Sequence, residues 1–232
     1  MWVLGILAPL AILGIIIATI VAIVRFRGEG KGIDFPSVLT AYAALVVLVC
    51  VFLIATGASL LLKAGLAEAF GRDFSYEVPA VSRGVQFAPT DESDARIRDD
   101  IATGISLLVA GSVLVVPHAF GAVALRRRGG ASARQIVDRS FNLLGLATAT
   151  LAFLAAGATA LNDVLRRYVV AGAEPEWYDV RHPGEPLSIA VTMLPLALWF
   201  GWRVWSDFAG NGGRRAAPDA DVPPLGAAVT AS

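Results

Sequence analysis

SFNLLGLATATLAFLAAGATALNDVLRRY, residues 140–168, is the stretch that decides the fold of this chain. It carries no charge before Asp163, so as an α-helix rising 1.5 Å per residue it is long enough to cross a hydrocarbon core of about 30 Å. Small side chains recur along one of its faces at steps of four and three residues: Gly145, Ala149, Ala152 and Ala156. Such a face lets another helix backbone approach closely, which is how helices associate in lipid. We therefore predict that this helix is the packing centre of a bundle.

The composition indicates a helical membrane protein. Of the 232 residues, 56% are hydrophobic and 16% are charged, and the mean hydropathy is +0.66, whereas a soluble domain has about 25% charged residues. The formal net charge is zero, so no overall field favours nucleic acid as a partner. The single cysteine, Cys50, has no partner within the chain, which excludes an intrachain disulfide and a cysteine-based metal site.

Four further apolar runs have near-spanning length, and together they predict an all-α membrane protein with five transmembrane helices. The predicted helices are residues 2–24, 38–62, 101–125, 140–165 and 186–205, within a transmembrane domain of residues 1–206. Outer loops at residues 64–98 and 169–185 connect them, and residues 74–78 and 85–87 of the first loop are predicted to pair as a short hairpin. Residues 207–232 are rich in Gly, Pro and Ala, which predicts a disordered cytoplasmic tail.

Basic residues predict the orientation in the membrane. Arg25 and Arg27 follow the first span, and Arg126, Arg127 and Arg128 close the third. Because positive residues favour the cytoplasmic side, the amino terminus is predicted outside and the carboxyl terminus inside. The preference for Arg over Lys hints at a bacterial source, and hence at a bacterial cytoplasmic membrane. The three arginines of the third span are also candidates to bind anionic lipid headgroups, at about 1 kcal/mol per residue.

An internal repeat divides the chain. ATGASLL at residues 55–61 and AAGATAL at residues 155–161 match in register at an offset of 100 residues. We predict two parallel helical hairpins plus an extra amino-terminal helix, related by an axis along the membrane normal, with chance similarity as the alternative. The offset makes Lys63 and Asp163 equivalent, which predicts an ion pair at the outer rim. The competing interpretation is that the two residues do not interact and that each side chain extends separately to the solvent.

These motifs also carry a resemblance. A helix with the GAS patch at residues 57–59, a charged loop, and a helix ending in Val115, Val116, Pro117 and His118 before basic residues resembles a bacterial multi-spanning membrane family of domain-of-unknown-function 5671 type. The resemblance covers spans two to five. The second unit departs from the pattern, with Leu196 where the first has His118. Since that family has no assigned activity, the resemblance implies a multi-spanning membrane protein and little more.

Candidate chemistry is sparse. His118 is the only histidine inside a predicted span, and it shares a helix face with Gly104 and Gly111. It is a candidate ligand of a haem shared with a partner chain, a candidate proton relay, or a structural histidine bonded to a carbonyl freed at Pro117, which is the interpretation we favour. No phosphate-binding loop, zinc-protease motif or nucleophile elbow occurs in the sequence, so we predict no enzymatic activity and no cofactor.

Three functional hypotheses remain. The small-residue faces, the outer loops and the lack of catalytic groups favour a non-catalytic accessory or scaffold subunit that packs with itself or with other membrane subunits. The second is a small transporter or channel at the repeat interface, lined by Thr56, Ser59, Lys63, Thr159 and Asp163. A continuous polar cavity would favour that hypothesis, and a dry interior would count against it. The third is an electron-transfer subunit centred on His118.

Overall fold

The computed structural model describes residues 35–76, 89–128, 131–169 and 182–215. These residues form five helices: α1 (Phe35–Phe70), α2 (Arg72–Ser75), α3 (Pro89–Arg128), α4 (Ala131–Tyr168) and α5 (Gly184–Arg215). The predicted first span at residues 2–24, the predicted strand at 85–87 and residues 216–232 of the tail lie outside the described ranges. Within those ranges the fold is entirely helical.

Four of the helices are long and apolar enough to cross a membrane, as the predicted all-α architecture requires. The candidate spans are Leu39–Phe70, Ser93–Leu125, Val137–Tyr168 and Gly184–Ala209. Each helix is longer than its uncharged core because polar residues continue it beyond the apolar run. Residues 207–215, predicted to begin a disordered tail, instead continue α5.

The prediction of a hairpin strand at residues 74–78 is wrong at Phe74 and Ser75. Phe74 and Ser75 belong to the single helical turn of α2. Gly71 has a backbone φ of +98°, a conformation that glycine adopts without the steric penalty of a side chain. It turns the chain at the end of α1, and Phe74 then packs into the bundle, 5% exposed. Burial of this ring favours a helical turn at a place where the alternating pattern indicated a strand.

Two antiparallel helix pairs build the bundle. Gly57 of α1 lies against Gly104 of α3, and Gly111, two turns further along α3, lies against Ile54, earlier in α1. In the same way α4 and α5 pack along their length. The two pairs point in the same direction, because Leu48 clusters with Ala149 and, further along both helices, Ala55 clusters with Ala152.

The packing centre is α1, and the prediction that α4 would occupy this place is wrong. Among the described helices, α1 contacts every other one, whereas α3 packs mainly on α1. An exact two-fold relation between the pairs would give α3 and α4 a contact like that between α1 and α5, and no comparable contact is formed between these described helices. The physical reason lies in α1 itself, which is apolar around its whole circumference and carries small residues on several sides.

Candidate functional site

The short helix α2 covers one end of the bundle, which we call the cap end. Residues 74–76 are all buried, with Tyr76 only 3% exposed. The Phe74 ring lies 5.1 Å from that of Phe70, measured between centroids. Gly184, the first residue of α5, leaves space for the Ser75 side chain at a point that any Cβ would fill. The segment is therefore seated in the bundle and is not a loose connection.

Charged groups of α2 reach both helix pairs. Arg72 Nη1 lies 2.7 Å from Asp94 Oδ1 on α3. Arg167 of α4 places Nη2 at 2.6 Å from Asp73 Oδ2, and Nδ1 of His182, just before α5, donates to the Asp73 carbonyl at 2.8 Å. One four-residue helix thus ties together the ends of α3, α4 and α5.

A second group of charges lies beside α2, and we call it the Lys63 cluster: Lys63, Tyr76, Asp100 and Glu185. The Lys63 Nζ atom is 3.0 Å from Asp100 Oδ2 and 3.3 Å from Glu185 Oε2. It also lies 4.4 Å from the centroid of the Tyr76 ring. The side chains of Lys63 and Asp100 are 13% and 16% exposed, so this ion pair is largely removed from water. The cluster joins α1, α3 and α5.

The predicted ion pair between Lys63 and Asp163 is replaced by these contacts. Asp163 lies on α4 and is 7% exposed, while Lys63 pairs with carboxylates of α3 and α5. The prediction assumed a two-fold relation between the helix pairs. Because the bundle lacks that symmetry, positions that match in sequence do not meet in space.

Tyr76 closes the inner side of the cluster. Burial, reinforced by the neighbouring carboxylates of Asp100 and Glu185, raises the pKa of Tyr76 above its usual range. Its hydroxyl lies beside the Asp100 carboxylate without meeting ordinary hydrogen-bond geometry. The Tyr76 side chain is therefore held neutral next to an ion pair.

Polar contacts continue about one helical turn towards the bundle centre. The hydroxyls of Ser59 and Ser188 are 3.1 Å apart. Ser188 donates its proton to the Glu185 carbonyl at 2.8 Å, so Ser59 must be the donor between the two serines. Further in, Thr56 donates to the carbonyl of Phe52 on its own helix. In the part of the chain that the structure describes, these polar contacts give way beyond this depth to buried apolar clusters.

The clusters of buried side chains in the middle of the bundle are apolar. One buried cluster joins Ala55, Ala152 and Met193, and the next joins Leu48, Ala149 and Phe200. The other positions predicted for helix packing also lie between helices: Gly104 and Gly111 against α1, Gly145 beneath the Phe200 ring, and Ala156 at 6% exposure. Polar side chains reappear at the opposite end, where Asn142 Nδ2 donates to Asp207 Oδ2 at 3.3 Å.

His118 and Thr159 each bond a carbonyl of their own helix. Nδ1 of His118 lies 2.8 Å from the Leu114 carbonyl and therefore carries the proton that it donates. Pro117 frees the carbonyl four residues before it, that of Val113, whereas the histidine bonds the carbonyl of Leu114, so the predicted bond to a freed carbonyl is wrong. Thr159 donates to the carbonyl of Ala155 on its own helix and faces outward. Residues 126–128 form the last turn of α3, and their side chains lie outside the described part of the chain.

Sequence reasoning missed Asp100, Glu185 and Tyr76. A signal for two of them existed, because Lys63, Asp100 and Glu185 each directly border a predicted span on the same side of the membrane. Charges that border spans on one side share a depth, so a cluster among them was foreseeable. Tyr76 offered no such signal, because its position depends on the turn at Gly71.

Comparison with protein-family models, curated proteins and solved structures gives no match to this chain. Among the described residues, no three or more His, Cys, Asp or Glu side chains are grouped so that they could hold a metal ion. The described fold and its polar ends define a helical protein with four membrane-span-like helices that are tied together at the cap end.

Proposed function

We propose that this chain is a non-catalytic accessory or scaffold subunit of a membrane assembly in the bacterial cytoplasmic membrane. The observation that supports this proposal most directly is the apolar middle of the bundle. Ser188 at the cap end and Asp207 at the opposite end are separated by 19 residues of α5, about 28 Å along the helix. The buried apolar clusters around Met193 and Phe200 lie in that interval.

A scaffold of this kind needs a fixed shape more than a cavity. Close helix approach at Gly57 and Gly104 supports such a shape, because a Cβ on Gly57 would lie 2.6 Å from the Gly104 carbonyl oxygen. The charges at the cap end pair with one another across helices, which also favours a single arrangement of the bundle. The resemblance to the domain-of-unknown-function family remains a prediction and adds no activity.

The orientation follows from the distribution of basic residues. The end opposite the cap includes residues 126–128, Arg139 and Arg203, and positive residues favour the cytoplasmic side. We therefore place the cap end outside and the carboxyl terminus in the cytoplasm. Residues 126–128 are then available to anionic lipid headgroups.

The proposal is tested by the state of the chain in its own membrane. The chain is tagged at its carboxyl terminus, expressed at its native level and extracted in a mild detergent, and its complexes are separated by native electrophoresis. A scaffold subunit runs with a fixed set of other membrane chains in constant proportions. Migration as a free 24.3 kDa chain under conditions that keep other membrane complexes intact would contradict the proposal.

A small transporter or channel is the second candidate, and one observation favours it. The Lys63 cluster and the serine pair below it extend polar contacts from the cap end into the span region. Purified chain in sealed vesicles tests this candidate through flux of protons, Na⁺, K⁺ and Cl⁻. Flux that disappears when Ser59 is replaced by Leu would favour transport over scaffolding. Vesicles as tight as protein-free ones would leave the scaffold proposal as the stronger one.

The electron-transfer hypothesis centred on His118 gains no support from its surroundings. The ring bonds its own helix through Nδ1 and lies edge-on to Tyr42, with centroids 6.3 Å apart. An absorption spectrum of the purified chain decides this hypothesis, since a haem band that is lost in His118→Ala would revive it.

A further inference from the structure

One helix of the bundle is covered far less than the others. In its most apolar 18-residue stretch, 11% of the residues of α3 are buried, against 28% in α1, 28% in α4 and 22% in α5. The difference arises because α3 packs mainly on α1, whereas α5 packs on both α4 and α1.

The uncovered side of α3 carries a regular row of large apolar side chains, which we call the α3 stripe. Its members follow one another at steps of four and three residues and are 48% to 73% exposed: Val109, Val113, Val116, Phe120 and Val123. This spacing is that of a seam between two helices. Lipid can also cover an apolar face, so exposure alone does not identify what covers the stripe.

The chain itself supplies an occupant. Residues 2–24 form an uncharged run of spanning length that lies outside the described structure, and ten residues separate it from Phe35, where α1 begins. A ten-residue connection reaches at most about 36 Å, which exceeds the 8–10 Å or so between packed helices. Since both segments belong to one chain, the effective concentration of one near the other is in the millimolar range.

The direction of residues 2–24 and the side chains that they carry are also compatible with packing against α3. The start of α1 lies at the same end of the bundle as the end of α3, so a span that leads into α1 runs parallel to α3. Basic residues close both segments, at Arg25 and at Arg126, and this sets a register of 101 residues between them. Small residues of the run recur at steps of three and four: Ala11, Gly14, Ala18 and Ala22. A face of small residues accepts large ones from a neighbouring helix.

We propose that residues 2–24 cross the membrane parallel to α3 and cover the α3 stripe with their small-residue face. In the register set by the arginines, Ala11 lies within one residue of the depth of Val113, and Ala18 lies within one residue of the depth of Phe120. The first span then gives α3 the second neighbour that α5 finds in α1. The α3 stripe is then buried within the chain and is unavailable to other subunits.

Disulfide trapping in native membranes tests the proposal. Cys50 is the only cysteine and is 1% exposed, so Cys50→Ala gives a cysteine-free background. Two pairs are then introduced separately, Ala11→Cys with Val113→Cys and Ala18→Cys with Phe120→Cys. A protease site inserted within residues 80–84 separates the two halves of the chain after oxidation, so that a link within one chain holds the fragments together on a non-reducing gel.

The helix α5 provides matched controls. Asp100 and Glu185 both reach Lys63, which places α3 and α5 in a register of 85 residues. Leu198 therefore lies at the depth of Val113, and both are 65% exposed. Likewise Trp205 lies at the depth of Phe120, at 71% and 73% exposure. The control pairs join Ala11→Cys to Leu198→Cys and Ala18→Cys to Trp205→Cys.

We expect the α3 pairs to form disulfides at least about tenfold faster than the α5 pairs, because the bond requires Cα atoms within about 7 Å. Equal rates, or faster linkage to α5, would overturn the proposal. Linkage only between two copies of the chain would assign the stripe to a dimer and overturn it as well. Absence of linkage to α3, in variants that remain membrane-inserted, would mean that the stripe faces lipid.

Discussion

The cap end and the middle of the bundle hold the same helices together by opposite means. At the cap end, α1 meets α3 and α5 through the ion pairs of Lys63 with Asp100 and Glu185. In the middle, the same helices meet through small residues and apolar side chains, as where Gly57 contacts Gly104. Charges can pair at the cap end because it is partly solvated, whereas a lone charge deeper in the membrane would be costly.

The difference indicates what each region contributes. Contacts in the middle act over short distances and tolerate almost no added volume, so they set how closely helices approach. Contacts at the cap end are directional and need specific partners, so they set which helices are neighbours. Substitutions in the two regions should separate these contributions, with the largest effect at the cap end.

Replacement of Lys63 by Met should be the most damaging single change, with a loss of about 3 kcal/mol in the free energy of unfolding. It leaves the Asp100 carboxylate, whose side chain is 16% exposed, without the cation that neutralises it, and a largely buried charge that loses its counter-ion costs several kcal/mol. Unfolding of the chain in mixed detergent micelles measures this loss. The control is Asp99→Asn, which removes an exposed charge next to Asp100.

A charge-exchange experiment sharpens the same comparison. Lys63→Asp should be rescued in part by Asp100→Lys, because the two side chains contact each other. It should not be rescued by Asp163→Lys, since α4 does not supply a partner of Lys63 in this bundle. Rescue by the second exchange alone would reinstate the two-fold arrangement that the sequence repeat predicts.

Gly57→Ala tests the middle of the bundle and should lower the free energy of unfolding by about 2 kcal/mol. The new Cβ would lie 2.6 Å from the Gly104 carbonyl oxygen and 3.0 Å from the Leu108 backbone nitrogen, and neither backbone atom can move by rotation of a side chain. Gly157 is the matched control, because it holds the equivalent place in the sequence repeat and has nothing within 4 Å of its Cβ position. Gly157→Ala should be neutral, or stabilising by up to about 1 kcal/mol through helix propensity.

The outcome of this pair matters beyond stability. If both alanine variants lose the same free energy, the two hairpins are packed alike and the asymmetry between α3 and α5 is wrong. If only Gly57→Ala is destabilised, the two hairpins resemble each other in sequence but not in packing, and α3 and α5 pack differently around α1.

The sequence indicated the helices well and their neighbours poorly, for a physical reason. Uncharged runs identify spans because a charge in the hydrocarbon core is costly. Which side of a span faces another helix is harder to read, because lipid and protein interior are equally apolar and the face pattern is weak. The repeat therefore suggested that Lys63 would meet Asp163, and the small-residue row suggested α4 as the centre. Neither expectation took account of α1, whose circumference is apolar on every side.

Arg167→Gln should have a smaller effect, about 1 kcal/mol or less, because this ion pair is more exposed than the Lys63 cluster. Its guanidinium contacts the Asp73 carboxylate at 2.6 Å and lies 5.7 Å from the Phe74 ring centroid, with side-chain exposures of 23% for Arg167 and 53% for Asp73. Arg98→Gln removes an exposed arginine near the same end and should be neutral. Amide hydrogen exchange adds a local readout, in which faster exchange confined to residues 72–76 would show that α2 has loosened.

The smallest effect concerns pH and separates Tyr76 from the ion pair that it covers. Because the pKa of Tyr76 is raised in the folded chain, the unfolded chain loses the tyrosine proton at a lower pH. Above about pH 10, where an unfolded tyrosine ionises, the unfolded state binds fewer protons and stability falls as pH rises. The loss should be about 0.8 kcal/mol at pH 10.5 and absent in Tyr76→Phe, while Lys63, Asp100 and Glu185 are unchanged in both chains.

At pH 8 the same variant should be nearly as stable as the parent, because the hydroxyl that it removes is buried without a regular hydrogen bond. The measurement is therefore the difference between the two pH profiles, and not the stability of either chain alone. Parallel profiles from pH 8 to 10.5 would show that Tyr76 ionises as readily in the folded chain as in the unfolded one. The cap end would then be open to water, and the contrast with the middle of the bundle would have to rest on packing at Gly57 and Gly104 alone.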